Sequence, residues 1–346
     1  MRSCFTDVAM PAVKQMIPSR GSVRAAAVIA LAAAVSCGCD RPATESEAAT
    51  APSASRLRVG VTIPPQRWLV EQIGGDDVDV VCLIGPQDDP HSFQPSDATV
   101  SALARCQVYF TIGVPAERGR WHRALLTSSK LNFVELHDGV RFRTMEHACA
   151  HDHHGDDLHH HDGDDPHIWL SPENLLSMVE RIAVTLAVFD PVHDEDYHAR
   201  ATLLKQRLSS LDDSLRATFA PYDGREVFVF HPSWGYFLDA YGLKQVAVEV
   251  GGKDPSDAEL TGLQRRAKAS GIRTIFSQPQ IVGKSVSALA KTIGGRVEVI
   301  DPLLPDVAQN LEDVAQKIVT SFGREDVTAG RGLSDGADSG SGAQSD

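Results

Sequence analysis

Hydrophobic positions along this chain alternate between two kinds of segment from residue 57 onward. Short runs rich in β-branched and aromatic residues are separated by stretches in which apolar residues recur at helical spacing, a pattern that predicts parallel α/β units. The first set of strands is expected at 57–63, 78–84, 107–112 and 132–136, with helices at 66–73 and 96–104. Gly74-Gly75 and Gly85-Pro86 punctuate these segments, as turns require. A second set is expected at 226–230, 245–250, 273–277 and 296–300, with helices at 234–241, 256–269 and 283–293. Between the sets, 194–220 carries leucines at 204, 208, 211 and 215, one apolar stripe of helical period. The expected fold is therefore α/β: two small parallel-sheet lobes joined by a long rigid helix, with the ligand site in the cleft between them.

The two ends of the chain break the pattern. Arg20 and Arg24 precede the apolar run 25–35, followed by Ser36-Cys37-Gly38-Cys39, the layout of a secretory signal peptide. A run that short cannot span a bilayer, which needs about 20 apolar residues. Cys39, with a small residue before it and a polar low-complexity stretch after it, reads as a lipid-acylated position; Cys37 is the alternative, and Met10 or Met16 are alternative starts. The expected organisation is a signal peptide over 1–38, a flexible tether over 39–56, a first lobe over 57–193, a connecting helix over 194–221, a second lobe over 222–323 and a disordered tail over 324–346. The tail expectation rests on its Gly, Ser and Asp content.

Charge excludes one class of partner. Residues 1–38 hold four of the 33 basic and one of the 46 acidic residues, so the remainder carries 29 against 45, a formal charge of −16. Nucleic acid is not expected to bind such a chain. Beyond the anchor, the odd number of cysteines, Cys82, Cys106 and Cys149, leaves at least one thiol outside any intramolecular disulfide.

Candidate chemistry concentrates where ligands bind open α/β sheets, beyond the carboxyl ends of strands. His231 follows one predicted strand and Asp301 another; His91 lies in the loop after the 78–84 strand, and His167 stands just before a helix start at Ser171-Pro172-Glu173. Three imidazoles and a carboxylate, two from each half, form a closed set suited to tetrahedral Zn²⁺. Protons compete for the same nitrogens, so metal affinity is expected to fall through the ordinary histidine pH range. Between these positions, 147–165 holds seven histidines and six aspartates with no basic residue. His147, His151, His153, His154, His159, His160 and His161 form a second, weaker set of candidate metal ligands in a segment that cannot build a packed core. No HExxH motif, nucleophile elbow or glycine-rich phosphate loop occurs, so an enzyme is not expected and a zinc hydrolase is the rival reading. A surface metal buffer or adhesin without a transporter is a third.

The blocks Val61-Thr62-Ile63-Pro64-Pro65, Pro90-His91-Ser92-Phe93-Gln94-Pro95-Ser96-Asp97, Asp165-Pro166-His167-Ile168-Trp169-Leu170-Ser171-Pro172 and His231-Pro232-Ser233-Trp234-Gly235-Tyr236-Phe237 resemble the zinc/manganese solute-binding proteins of ABC importers. The resemblance spans 57–319. It implies a monomer that captures Zn²⁺, or Mn²⁺, outside the inner membrane, in the periplasm or on the outer face of that membrane. It also implies delivery to a membrane permease, and an acylated Cys39 would tie the protein to membrane lipid. The family's metal ligands fall at positions matching His91, His167, His231 and Asp301, the last on the shorter motif Val299-Ile300-Asp301-Pro302. Manganese carriers of the family offer more carboxylate, so three imidazoles point to zinc. Gln278, where many relatives carry an acidic residue, is read as cleft lining. A His-rich loop between the first two ligand motifs is common in the family's zinc branch, which implies a role in collecting, sensing or handing over zinc at lower affinity than the cleft.

Overall fold

A computed structural model describes residues 56–128, 130–145, 163–280 and 284–334. All of them fall in one compact unit. The first lobe is a four-stranded parallel sheet of β1 (Leu57–Val61), β2 (Val78–Cys82), β3 (Val108–Thr111) and β4 (Asn132–Glu135), in the order β2-β1-β3-β4. The second repeats that order with β5 (Glu226–Val229), β6 (Lys244–Ala247), β7 (Thr274–Ser277) and β8 (Arg296–Val299), arranged β6-β5-β7-β8. Both sheets place their first strand centrally, flanked by the second and third. The carboxyl ends of β1 and β3, and of β5 and β7, therefore lie side by side, where the order reverses.

The central strands are apolar on both faces because helices cover both. Val59 and Val61 of β1 and Val108, Tyr109 and Phe110 of β3 are fully buried. Helix α1 (Pro64–Gly74) starts with two prolines, tolerated where backbone N–H groups have no intrahelical partner, and stops before Gly75, whose φ of 58° suits glycine. Helices α2 (Asp97–Leu103) and α3 (Arg120–Ser128) complete this lobe's crossovers. Helix α4 (Pro172–Phe189) begins where the sequence predicts, with Ser171 as its N-cap accepting the Asn174 N–H and Pro172 in its first turn.

Helix α5 (Asp194–Phe219) is the predicted connector. Leu204, Leu208 and Leu215 are buried along one stripe, where α5 packs against α4 and α1, and it also meets α9 (Val307–Ser334). In the second lobe, α6 (Gly235–Ala240), α7 (Asp257–Ala269) and α8 (Lys284–Thr292) link the strands. One hydrophobic core runs from the first sheet through α4 and α5 to α6 and α9, while a smaller core around Phe228, Val246, Ile275 and Leu289 fills the far side of the second sheet. The shared core makes the lobes halves of one packed body.

One expectation differs from the structure. Helix α9 runs to Ser334, so the tail predicted to be disordered from 324 is helical over its first part. A helix already anchored by buried Val307, Leu311, Val314 and Ile318 extends at one hydrogen bond per added residue, which composition alone does not register. Cys82 and Cys106 are free thiols, with Cys149 outside the described residues. Burial pushes the thiol of Cys82 up to about 12 and that of Cys106 to about 11, so both stay protonated. Among the described residues, no helix is long and apolar enough to cross a membrane. Cys39, Cys37 and the segment expected to form the signal peptide lie outside the described residues.

Candidate metal centre

His91, His167 and His231 come from three separate loops and converge. After β2 the chain keeps sheet hydrogen bonds through Leu83 and Ile84, then turns; Asp89 Oδ1 accepts the His91 backbone N–H at 3.0 Å. The Pro90 carbonyl accepts the Ala116 N–H at 3.1 Å, which anchors the turn to the loop beyond β3. His167 precedes a 3-10 turn at Ile168–Leu170 and is 3 % exposed. His231 follows β5 directly, after Phe230 has made its last sheet bond to Phe276.

The three Nε2 atoms form a triangle with sides of 3.1 Å (His91 to His231), 3.3 Å (His91 to His167) and 3.4 Å (His167 to His231). Nitrogens about 2.0–2.1 Å from a common tetrahedral ion stand about 3.3 Å apart, so the triangle has the size of a zinc site. The hydrogen-bonding state of the rings explains why the nitrogens point inward. His167 Nδ1 lies 2.7 Å from Asp165 Oδ1, and His231 Nδ1 lies 2.7 Å from Glu249 Oε1. A carboxylate at Nδ1 takes the ring proton there, leaving Nε2 as a bare lone pair. Lone pairs facing one another at 3.4 Å repel, and a cation at their centre turns that repulsion into coordination.

Burial sustains this state. The His91 imidazole is pushed down to about 3, first by desolvation and then by the neighbouring His167 and His231. His167 is also lowered by burial, against the upward pull of Asp165. Protons therefore compete for these two nitrogens below the ordinary histidine range in which the sequence placed the loss of affinity. Burial opposes the charge of Asp165, but hydrogen bonds and charge from His167 and Arg143 outweigh it and hold its carboxyl below the usual range.

Asp301 sits just beyond β8 and outside this triangle; among the described residues, the three histidines are the only group of potential ligands gathered closely enough for one ion. Its Oδ1 accepts the Leu303 N–H at 2.9 Å and the Gln280 side-chain amide at 3.0 Å. Gln280 also donates to the Pro86 carbonyl at 3.0 Å, so it bridges the loop carrying His91 and the end of β8. Gln278 is buried at the end of β7. His147, His151, His153, His154, His159, His160 and His161 lie outside the described residues. The strand-like roots of their segment are described: Met145 N–H donates to Gly163 O and Asp165 N–H to Arg143 O.

The sequence reading did not single out Asp165, Glu249 or Arg143. Asp165 was legible, since a carboxylate two residues before a candidate ligand can reach its ring. Glu249 is 18 residues from its partner, and only the pairing of β5 with β6 brings them together.

Residues 59–321 match the family model described as ZnuA, zinc-uptake complex component A, periplasmic. The chain belongs to this family. The crystal structure of a ZnuA shares 34% sequence identity with a TM-score of 0.70, over 77% of this chain and 99% of that one. A ZnuA deletion mutant plus zinc bound matches at 34% identity and a TM-score of 0.69, over 77% and 98%. The zinc-binding lipoprotein AdcA of Streptococcus pneumoniae is 28% identical over 255 residues, covering 72% of this chain and 50% of AdcA. This chain thus spans about half the length of the AdcA relatives it matches.

Proposed function

We propose that this protein is the substrate-binding component of an ABC-type metal importer, which captures Zn²⁺ outside the inner membrane and hands it to a membrane permease. The observation that carries the reading is the Nε2 triangle of 3.1, 3.3 and 3.4 Å, with two of its rings oriented by carboxylates. Capture needs no chemistry: three neutral imidazoles replace part of the hydration shell of the ion. The proposed fourth ligand is Asp301, with water as its competitor for that position. Three nitrogen donors favour Zn²⁺ over Mn²⁺, which suits harder oxygen sets. With Asp301 as the fourth ligand the sphere would have no open position for a hydrolytic water, which would suit a carrier over an enzyme.

The remaining parts of the reading rest on the sequence. Cys39 is the proposed lipid anchor, the protein acts as a monomer on the outer face of the membrane, and the seven histidines over 147–161 collect zinc at lower affinity. Zinc titration calorimetry on the anchor-free protein, with manganese in parallel, tests the reading. One tight zinc site with weaker additional ions is the expected result, and tighter binding of manganese than zinc would overturn it.

A further inference from the structure

Arg143 stands apart from the metal ligands yet touches what orients one of them. It lies in the first lobe, beyond β4. Its Nη1 donates to Asp165 Oδ2 at 2.9 Å while Asp165 Oδ1 holds the His167 ring, so the two carboxylate oxygens face opposite ways along one chain of contacts. The same guanidinium donates from Nε to Asp239 Oδ2 at 2.9 Å, on helix α6 of the second lobe. Helix α6 starts four residues after His231, so Arg143 links the scaffolds of two metal ligands that belong to different lobes.

Backbone contacts repeat the link. The Tyr236 hydroxyl of α6 accepts the Arg143 N–H at 3.1 Å and donates to the Asp165 carbonyl at 2.9 Å. Gly235, the first residue of α6, is the surface on which the guanidinium lies: a Cβ there would sit 1.7 Å from Arg143 Nη1. Arginine suits the position because its planar fork serves two carboxylates at once, which the point charge of a lysine does not. Asp165 is fully buried, so its charge depends on these partners.

We propose that Arg143 is a positioning residue that clamps the Asp165–His167 pair to helix α6, holding the histidine triangle at metal-binding size across the two lobes and slowing metal release. This rests on the reading of the three histidines as a zinc site. Residues that orient ligands from behind typically change metal affinity by about 10–100-fold, and changes confined to one interface act mostly on dissociation.

The test uses variants that leave every ligand, Asp165 and Arg143 in place. Asp239→Ala removes a half-exposed anchor on α6, and Gly235→Ala drives the guanidinium off its seat. Zinc release from the full-length protein is followed by stopped flow into excess chelator, and association is measured separately. Each variant is expected to release zinc roughly tenfold faster, with association nearly unchanged. The double variant should be no faster than the quicker single one, because both break the same contact; independent structural damage would add. Wild-type release rates in both single variants, or additive effects in the double, overturn the clamp. His231→Ala is measured alongside. If it binds zinc as wild type does, the metal site itself is wrong and the clamp falls with it; if it loses zinc while Asp239→Ala and Gly235→Ala release normally, only the clamp is wrong.

Discussion

Gln280 donates its side-chain amide to Asp301 Oδ1 at 3.0 Å, and the same amide reaches the Pro86 carbonyl in the other lobe. Asp301 lies outside the group of side chains close enough to share one ion, so the imidazoles are expected to carry most of the affinity. His231→Ala is expected to weaken zinc binding by on the order of 100-fold or more, since even an orienting partner is worth about 10–100-fold. Asp301→Ala should cost less than tenfold on the same scale. Calorimetry on the two variants checks the ranking, and an equal or larger loss for Asp301→Ala would place the carboxylate on the metal from the start.

Glu249 stands behind the histidine triangle, on the His231 ring. Its carboxylate fixes the His231 tautomer, and it is itself 7 % exposed. Glu249→Ala lets the ring rotate and lowers its basicity, for an expected loss of about 10–100-fold in zinc affinity. The thermal stabilisation conferred by zinc should shrink accordingly. An unchanged zinc-induced shift in Tm would show that the ring is held by other means.

The His-rich segment can be removed at a defined boundary. Met145 N–H donates to Gly163 O at 2.6 Å, so the ends of the segment already meet, whereas Asp165 behind them orients His167. Deleting 147–162 is expected to leave one tight zinc per protein and to abolish the weaker ions. A deletion extended through 165 also removes Asp165 and should weaken the tight site. Equilibrium dialysis against zinc separates the two; loss of the tight ion in the shorter deletion would assign capture to the histidine-rich segment.

Stability has a pH signature at Glu117. Its carboxyl is pushed up to about 7 by burial, against hydrogen bonds from Thr62, the Ile112 N–H and the Gly113 N–H that pull it down. In the unfolded chain an ordinary Glu titrates near 4.3, so from roughly pH 4.5 to 7 the folded protein holds a proton that the unfolded chain has lost. This group therefore stabilises the metal-free protein as pH falls through that window, by on the order of 3 kcal/mol across it, and the contribution fades as pH rises. His91 and His167, lowered in the folded state, slope the other way. The difference between wild type and Glu117→Gln isolates the carboxyl. Urea midpoints at pH 4.5, 6 and 7.5 should show a wild-type advantage that shrinks with rising pH, and a constant difference would refute the assignment.

Periodicity sufficed for the eight strands and for most of the helices, because burial on both faces of a parallel sheet leaves apolar runs that few other structures produce. Boundaries shifted by only a few residues: β1 ends at Val61 instead of 63 because Thr62 and Ile63 turn their N–H groups to the Gln66 side chain at the start of α1. Helix α3 and the full length of α9 were not legible. The strand order β2-β1-β3-β4 was also beyond the sequence, since pairing depends on contacts between residues far apart in the chain.

The chain by itself determined the two-lobe α/β plan, the connecting helix and the candidacy of His91, His167, His231 and Asp301, since hydrophobic period and strand-end position are local properties. Only the tertiary structure decided which of those side chains meet. A loop residue two positions past a strand can point in many directions, and its final aim is set by partners such as Glu249, Arg143 and Gln280 that reach it across the sheet or across the cleft. Three imidazoles were brought within 3.4 Å of one another, while Asp301 lies outside them and accepts from a glutamine that no sequence pattern marked.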